Sequence, residues 1–333
     1  MMEHARLLAV KDGVTYDMSN LVSTIRWHGR RGAPARDLQV EFIDDDGYKH
    51  ERTGIDITKG HQCVFYWKEE ELFRGMFMKQ TQSNKKTITI KAYDNGIYLS
   101  NNSDTFNYSN KTASQIFSDV CSRFEIPTGA VADSVYRIPE LPKPNTTAWD
   151  VIADAMSLTV DATGVRYYVI SRGGELCFIE RRQNILQWVI ETGVNIEEYT
   201  QQKSIERIKT RIKLLSREGA VLAEASDFDL EGMLGIFQDV ITLDDDMNSG
   251  QLSDIVKTTL AENNSAVEAL SLSASGLPDV IAGVGVFIII KPLNISRTYY
   301  VEEDTHTFDG NYHSMRLQLS QAIDAQATGA WGV

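Results

Sequence analysis

The sequence predicts an α+β chain, mainly β, with two related strand-rich blocks, each an antiparallel sheet or a small β-barrel-like domain, and a small α/β module inserted between them. Three observations carry this. Apolar and polar residues alternate towards both ends of the chain, the middle shifts to a helical period, and a short pattern recurs in both strand-rich blocks. A single domain averages ~150 residues, so a chain of 333 has room for that division.

The first β-barrel-like domain is expected at residues 1–105. Ile25, Trp27, Leu38, Val40 and Phe42 alternate with polar neighbours, and 29-GRRGAPA-35 supplies the turn between them. Asp45-Asp46-Gly47 reads as a second turn, and 63–67, 72–78 and 87–92 read as further strands. The middle module is expected at 106–190. Ser109 or Asn110 opens a helix in which Ala113, Ile116, Phe117, Val120, Cys121 and Phe124 recur every three or four residues, and Pro127 and Gly129 stop it. A Pro-rich connection follows, with Pro139, Pro142 and Pro144. Thr146 or Thr147 then starts a helix carrying Trp149, Ile152, Ala153, Met156 and Leu158. A hairpin around Arg172-Gly173-Gly174 completes the module.

The second β-barrel-like domain is expected at 191–322. Arg207, Lys209, Arg211 and Lys213 fall on one side of a period-2 segment, with Ile208, Ile212 and Leu214 on the other. A helix interrupts at about 249–263, where Asn248 and Gln251 have the spacing of a capping box. Strands resume at 267–274, 286–290 and 299–301, ahead of a final hairpin. A two-residue turn at Asp309-Gly310 sets His306 opposite His313 and Asp304 opposite Met315. Residues 323–333 read as a flexible tail. The recurring pattern is Asp56-Ile57-x-x-Gly60 ahead of Val64-Phe65, matched by Asp279-Val280-x-x-Gly283 ahead of Val286-Phe287. Each copy leads into a hairpin and an alternating strand, as a duplicated β domain requires.

Composition narrows the function. With 33 Lys plus Arg against 46 Asp plus Glu, the formal charge is −13, and a polyanion is repelled over most of such a surface. Specific nucleic-acid binding is not expected. The longest apolar run, 280–290, is about half the ~20 residues of a membrane helix, so no membrane anchor is expected. Cys63, Cys121 and Cys177 are odd in number and lack CxxC spacing, which fits reduced thiols in a chain finished in the cytoplasm.

No reactive constellation assembles. GxSxG, GxxxxGK[ST] and HExxH are absent. Asp244-Asp245-Asp246-Met247-Asn248-Ser249-Gly250 begins like a calcium loop, but Ser249 holds the position of the turn glycine and Ile255 that of the bidentate Glu. A solvated acidic turn leading a helix accounts for it. His306 and His313, with Asp304, are the best metal candidate, set against ring nitrogens bonded to turn backbone. Cys63 lies near His61, yet residues two apart on a strand do not meet and its neighbours are of core type. Catalytic, cofactor-binding and metal residues are therefore all expected to be none. The row Arg207, Lys209, Arg211, Lys213 is either a solvated strand face or a surface for an acidic partner. The stretch with Val286, Phe287 and Ile288 is apolar on both faces, suiting a barrel core or a subunit contact.

Several segments taken together resemble one family: 91-KAYDNGIYLSNN-102, 111-KTASQIFSDVCSRFEIP-127, 146-TTAWDVIADAM-156 and 304-DTHTFDGNYHSMRLQL-319. Ile25-Arg26-Trp27 and Ala35-Arg36-Asp37-Leu38-Gln39-Val40 match its first hairpin. Their order and spacing, from about residue 10 to 320, resemble the XkdQ family of tail baseplate hub proteins from PBSX-like prophages and contractile phages. That family is similar to the hubs of T-even and Mu-like phages. The resemblance implies two related β-barrels around an α/β portion, a homotrimer, and a pseudo-sixfold ring joining the tail tube to the central spike. It implies no catalytic residue. The expected partners are the chain itself, the tail tube, the central spike and other baseplate or tape-measure proteins. The expected places are the host cytoplasm during assembly and then the baseplate. Two other roles stay open: a tail-associated peptidoglycan hydrolase, needing an acid/base pair that Glu69-Glu70-Glu71 does not supply, and a tail-tip carbohydrate-binding adhesin using Trp27, Tyr66 and Trp67.

Overall fold

The computed structural model describes residues 4–43, 60–82, 87–181, 184–243 and 247–321. The expected turn at Asp45-Asp46-Gly47, the Asp56-Ile57 end of the recurring pattern, the triplet Asp244-Asp245-Asp246 and the tail at 323–333 lie outside the described residues.

The chain is mainly β, and it forms two compact units, residues 1–199 with 271–333 and residues 200–270. Strands before the helical portion are β1 (Ala5–Lys11), β2 (Val14–Asp17), β3 (Val22–Arg30), β4 (Asp37–Ile43), β5 (Gln62–Trp67), β6 (Glu70–Gln82) and β7 (Thr87–Asp94). Then come α1 (Ile97–Asn101), β8 (Ser103–Thr112), α2 (Ala113–Arg123), β9 (Thr128–Val131), β10 (Arg137–Thr147), α3 (Ala148–Thr163), β11 (Tyr167–Arg172) and β12 (Glu175–Glu180). β13 (Ile185–Glu191) and β14 (Ile196–Ser204) lead towards the second unit. That unit holds β15 (Arg211–Leu215), β16 (Val221–Ser226), α4 (Phe228–Leu234), β17 (Gln238–Thr242) and α5 (Ser249–Asn263). β18 (Val267–Ser275) leads back to β19 (Gly285–Ile290), β20 (Ile295–Asp309) and β21 (Tyr312–Ser320).

One sheet runs in the order β14-β18-β21-β20-β3-β4-β7-β6-β5-β1-β2, with β19 on β20 and β13 on β19. β20 joins the early and late strands. Its first half pairs with β19, its second half pairs with β3, and β21 lies along its other edge. The period-2 reading of the first block holds: Ile25, Leu38, Val40, Ile90 and Phe77 are all buried on the inner face. β5-β6-β7 and β19-β20-β21 are both antiparallel meanders, the order the recurring pattern anticipates.

A bulge between Val301 and Glu303 decides what β20 buries. Before it Tyr299 and Val301 point inward; after it Asp304, His306 and Phe308 do. One inserted residue therefore moves an acid and an imidazole onto the core face. The closing turn is Gly310-Asn311 rather than Asp309-Gly310, because Gly310 takes the positive φ of 58°. The expected register is corrected accordingly: His306 lies opposite Met315, Phe308 opposite His313 and Asp304 opposite Leu317.

The helical portion has its own core, with Phe106, Ile116, Phe117, Val120, Val151, Ile152 and Phe178. Two expectations change here. The first helix is capped by Thr112, in a capping box with Gln115, because residues 103–112 continue as strand β8 and leave Ser109 and Asn110 inside it. The Pro-rich stretch is itself a strand, β10, paired with β8 alone among the described strands. Proline is tolerated there because a two-stranded sheet leaves one edge of each strand without ladder bonds to lose. Thr147 caps α3, as one of the two expected residues.

In the second unit, β16-β15-β17 is covered on one face by α5, where Ile212 and Leu214 meet Leu252, Val256 and Leu260. α5 spans the expected residues and starts on the Asn248–Gln251 capping box.

Candidate functional site

The basic row is not the continuous face expected of it. Only Arg211 and Lys213 lie on β15; the chain turns at 205–208, and Lys209 N–H donates to the Asn263 carbonyl. Arg207 is exposed in that turn. The other three cations meet carboxylates of the same unit. Arg211 forks onto Glu231 (Nε–Oε1 2.9 Å, Nη2–Oε2 3.0 Å), Lys213 lies 3.1 Å from Glu224, and Lys209 lies 3.8 Å from Asp239. Neighbouring strands and α4 thus supply the counter-charge that a row of like charges needs.

Val286, Phe287 and Ile288 lie on β19, with both of its edges filled, by β13 in parallel and β20 antiparallel. Within the chain Val286 and Ile288 are fully buried and Phe287 is half-buried.

The histidines do meet, as diagonal neighbours across the hairpin. His306 Nε2 lies 3.0 Å from the Val280 carbonyl, which can only accept, so that nitrogen carries the proton. His306 Nδ1 then accepts from His313 Nε2–H at 2.9 Å, and both rings are neutral. Burial holds His306 down at about 4, with Asp304 pulling upward and Arg36 downward. Burial, then His306 and Lys68, hold His313 at about 3. Among the described residues no three His, Cys, Asp or Glu side chains stand together as metal ligands.

Sequence reasoning missed what Asp304 does. Arg36, just ahead of β4, reaches it with both terminal nitrogens (Nη1–Oδ1 2.8 Å, Nη2–Oδ2 2.5 Å), and Ala282 N–H donates to Oδ1 at 2.6 Å. Asp304 is 0% exposed and Arg36 8%. The guanidinium carbon lies 4.2 Å from the Trp27 ring centre, and Trp27 in turn faces His306. Gly29 makes room for this: a Cβ there would sit 2.0 Å from Arg36 Nη1. Arg36 N–H and Gly96 N–H both donate to Asp94, whose pKa burial nonetheless pushes up to about 7. This cluster ties β3, β4, β7 and β20 together in the middle of the sheet. The signal for it was an acid and a histidine in phase with Phe308, legible only once the bulge is placed.

The remaining candidates are quiet. Cys63, Cys121 and Cys177 are buried, and burial pushes Cys63 up and Cys121 up to about 12, far from a thiolate. An open cleft of about 570 Å³ beside α2 is lined by Ser114, Ser118 and Ser122 together with Asp119 and Asp133, and Asp119 accepts from the Tyr108 hydroxyl at 2.6 Å. No helix among the described residues is long and apolar enough to cross a membrane.

The architecture defines a class. The chain superimposes on the 43 kDa tail protein of prophage MuSo2 from Shewanella oneidensis with a TM-score of 0.70, covering 95% of this chain and 97% of that one at 14% identity. It also matches the c3393 protein of E. coli (TM-score 0.54, 8% identity, 91% of this chain and 74% of that one), a type VI secretion component described as similar to T4 tail proteins. The fold is that of a phage tail protein. In sequence, the chain is 32% identical over 317 residues to the phage-like element PBSX protein XkdQ of Bacillus subtilis, across 94% of this chain and 96% of that protein. A YQBQ-like family model matches residues 25–320, and the chain belongs to that family.

Proposed function

We propose that this chain is the structural baseplate hub of a contractile phage tail or tail-like particle, three copies forming a ring that joins the tail tube to the central spike. What supports this most is the match to a PBSX-element protein over nearly the whole of both chains, in a fold shared with tail proteins and with a type VI secretion component described as similar to T4 tail proteins. Each copy supplies two β portions, residues 1–105 and 191–322, and the three copies together supply six. The residues fit a mechanical part: the buried charges are spent on holding strands together, and the thiols are buried in the fold. The partners are further copies of this chain, the tube, the spike and adjoining baseplate proteins. The test is electron microscopy of tails from cells lacking this chain. Tubes without a complete baseplate are expected; intact, contracting tails would overturn the reading.

A further inference from the structure

Positive charge collects on the outer face of the large sheet. Alternate residues of β3 point away from the core, and these include Arg26, His28 and Arg30. The register sets Arg26 between Gln39 and Thr307, with Lys91 beyond Gln39 and Lys79 beyond Lys91. It sets His28 between Asp37 and Thr305, with Arg316 beyond Thr305. Arg26, Arg30, Lys79 and Arg316 are all exposed. The carboxylates nearest to them are already engaged. Arg30 stands opposite Glu303, but Glu303 faces His28 Nε2 at 3.4 Å. Asp37 accepts from His28 Nδ1 at 3.1 Å and lies 3.0 Å from Lys91 Nζ. With a carboxylate against each ring nitrogen, both nitrogens donate and His28 is itself a cation; its pKa is raised, first by the bond to Asp37. Among the described residues Arg26, Arg30, Lys79 and Arg316 have no carboxylate partner. Glu41 and Asp309 are the other acids of this face, one row beyond Arg26 and on either side of Thr24. Arg26, Arg30, Lys79, Lys91, Arg316 and His28 therefore outnumber Asp37, Glu41, Glu303 and Asp309, on a chain whose total charge is −13.

This charge selects the partner. Each guanidinium has its donors free for a carboxylate, which it can meet with two parallel bonds. Arg26 and Arg30 stand ~13 Å apart along β3, and Arg316 lies two strands away, ~10 Å across the sheet. Gln39, Thr305, Thr307 and Ser314 lie between the cations, so the face offers hydrogen bonds and charge rather than an apolar seat. β3 and β20 are interior strands, paired along both edges, so the arginines project from a backbone that is already fixed. A nucleic-acid strand running past this face would meet the acidic remainder of the surface. It would also find no stacking platform, because Tyr93 is half-buried with Lys91 over its ring. A second copy meeting it face to face would set cation against cation. A compact acidic segment meets the cations alone. We propose that the outer face of β21, β20, β3, β4 and β7, centred on Arg26, Arg30 and Arg316, is a docking surface for a carboxylate-rich segment of a different protein. The ring reading above is not needed for it.

The test is fluorescence anisotropy of a labelled oligoglutamate titrated with the full-length protein. The parent is expected to bind it, more weakly as salt rises from about 50 to about 200 mM. Arg26→Gln/Arg30→Gln/Arg316→Gln is expected to lose about tenfold in affinity, as three surface ion pairs of ordinary strength would give. The control Lys111→Gln/Arg172→Gln/Lys257→Gln removes the same charge from exposed positions elsewhere and should stay within about twofold of the parent. Far-UV circular dichroism like that of the parent shows that both triple variants keep the fold. No binding by the parent, or equal losses in the two triple variants, would overturn the docking surface. A single-stranded oligonucleotide of the same charge, bound more tightly than oligoglutamate through the same arginines, would overturn the choice of partner. So would self-association, seen by light scattering, that the Arg26/Arg30/Arg316 variant abolishes and the control leaves intact.

Discussion

Replacing Asp304 by alanine removes a carboxylate that accepts three hydrogen bonds inside the sheet, two from Arg36 and one from Ala282 N–H. The guanidinium cannot follow the lost charge into water, because Arg36 is nearly buried and stacked over Trp27. Breaking a buried ion pair from one side costs about 3–5 kcal/mol, most of it the uncompensated charge left behind. Asp304→Ala is expected to lose that much stability. Asp304→Asn, which keeps one acceptor oxygen, is expected to lose roughly half. The double replacement Arg36→Met/Asp304→Leu should recover part of the loss, since it removes the uncompensated guanidinium and leaves only Ala282 N–H without the acceptor it has in the parent. Urea denaturation followed by far-UV circular dichroism gives the magnitudes, and tryptophan emission reports locally through Trp27. An Asp304→Ala loss below about 1 kcal/mol, or a double variant no better than the single, would refute this account of the cluster.

Acid should destabilise the fold between pH 6.5 and 4. Over that range the unfolded histidines, at their ordinary 6.5, take up protons that folded His306 and His313 refuse down to about 4 and about 3. Asp94 opposes this, keeping its proton up to about 7 when folded and releasing it near 3.8 when unfolded. Asp94→Asn should therefore steepen the acid loss by about 1.4 kcal/mol per pH unit, and His306→Gln should flatten it, in urea titrations at pH 5 and 6; equal slopes in all three proteins would contradict the assignment. Gly29→Ala, whose methyl would collide with Arg36, should cost about 1–3 kcal/mol, seen in the same denaturation assay with altered tryptophan emission. Ile288→Val should lower stability by about 0.5–1.5 kcal/mol and leave self-association unchanged, because Ile288 is buried within its own chain; light scattering checks the second half. Thr112→Val removes the capping box of α2 and should cost about 0.5–2 kcal/mol by the same denaturation assay.

Much of the fold was legible in the sequence because the elements that carry it are locally consistent. Ile25, Leu38 and Val40 alternate and are buried, Asn248 and Gln251 mark the start of α5, and Gly173-Gly174 turns the β11–β12 hairpin. The errors arose where a single residue changes phase. The bulge in β20 and the one-residue shift of its turn moved every cross-strand pair of the last hairpin. The prolines of β10 suggest a linker until its partner β8 is known, since pairing is long-range information. The basic row was visible, but its meaning was not: Glu224, Glu231 and Asp239 reach it only through the fold of the second unit. The Arg36–Asp304 pair joins positions far apart in the chain, and no local pattern announces it.

The central claim is that this chain works as a ring-forming part of the tail. Cryo-electron microscopy of purified tails from cells that carry it tests this most directly. Three copies in a closed ring between tube and spike are the expected result. Its absence from the particle, or its presence as isolated single copies away from the tube axis, would contradict the account.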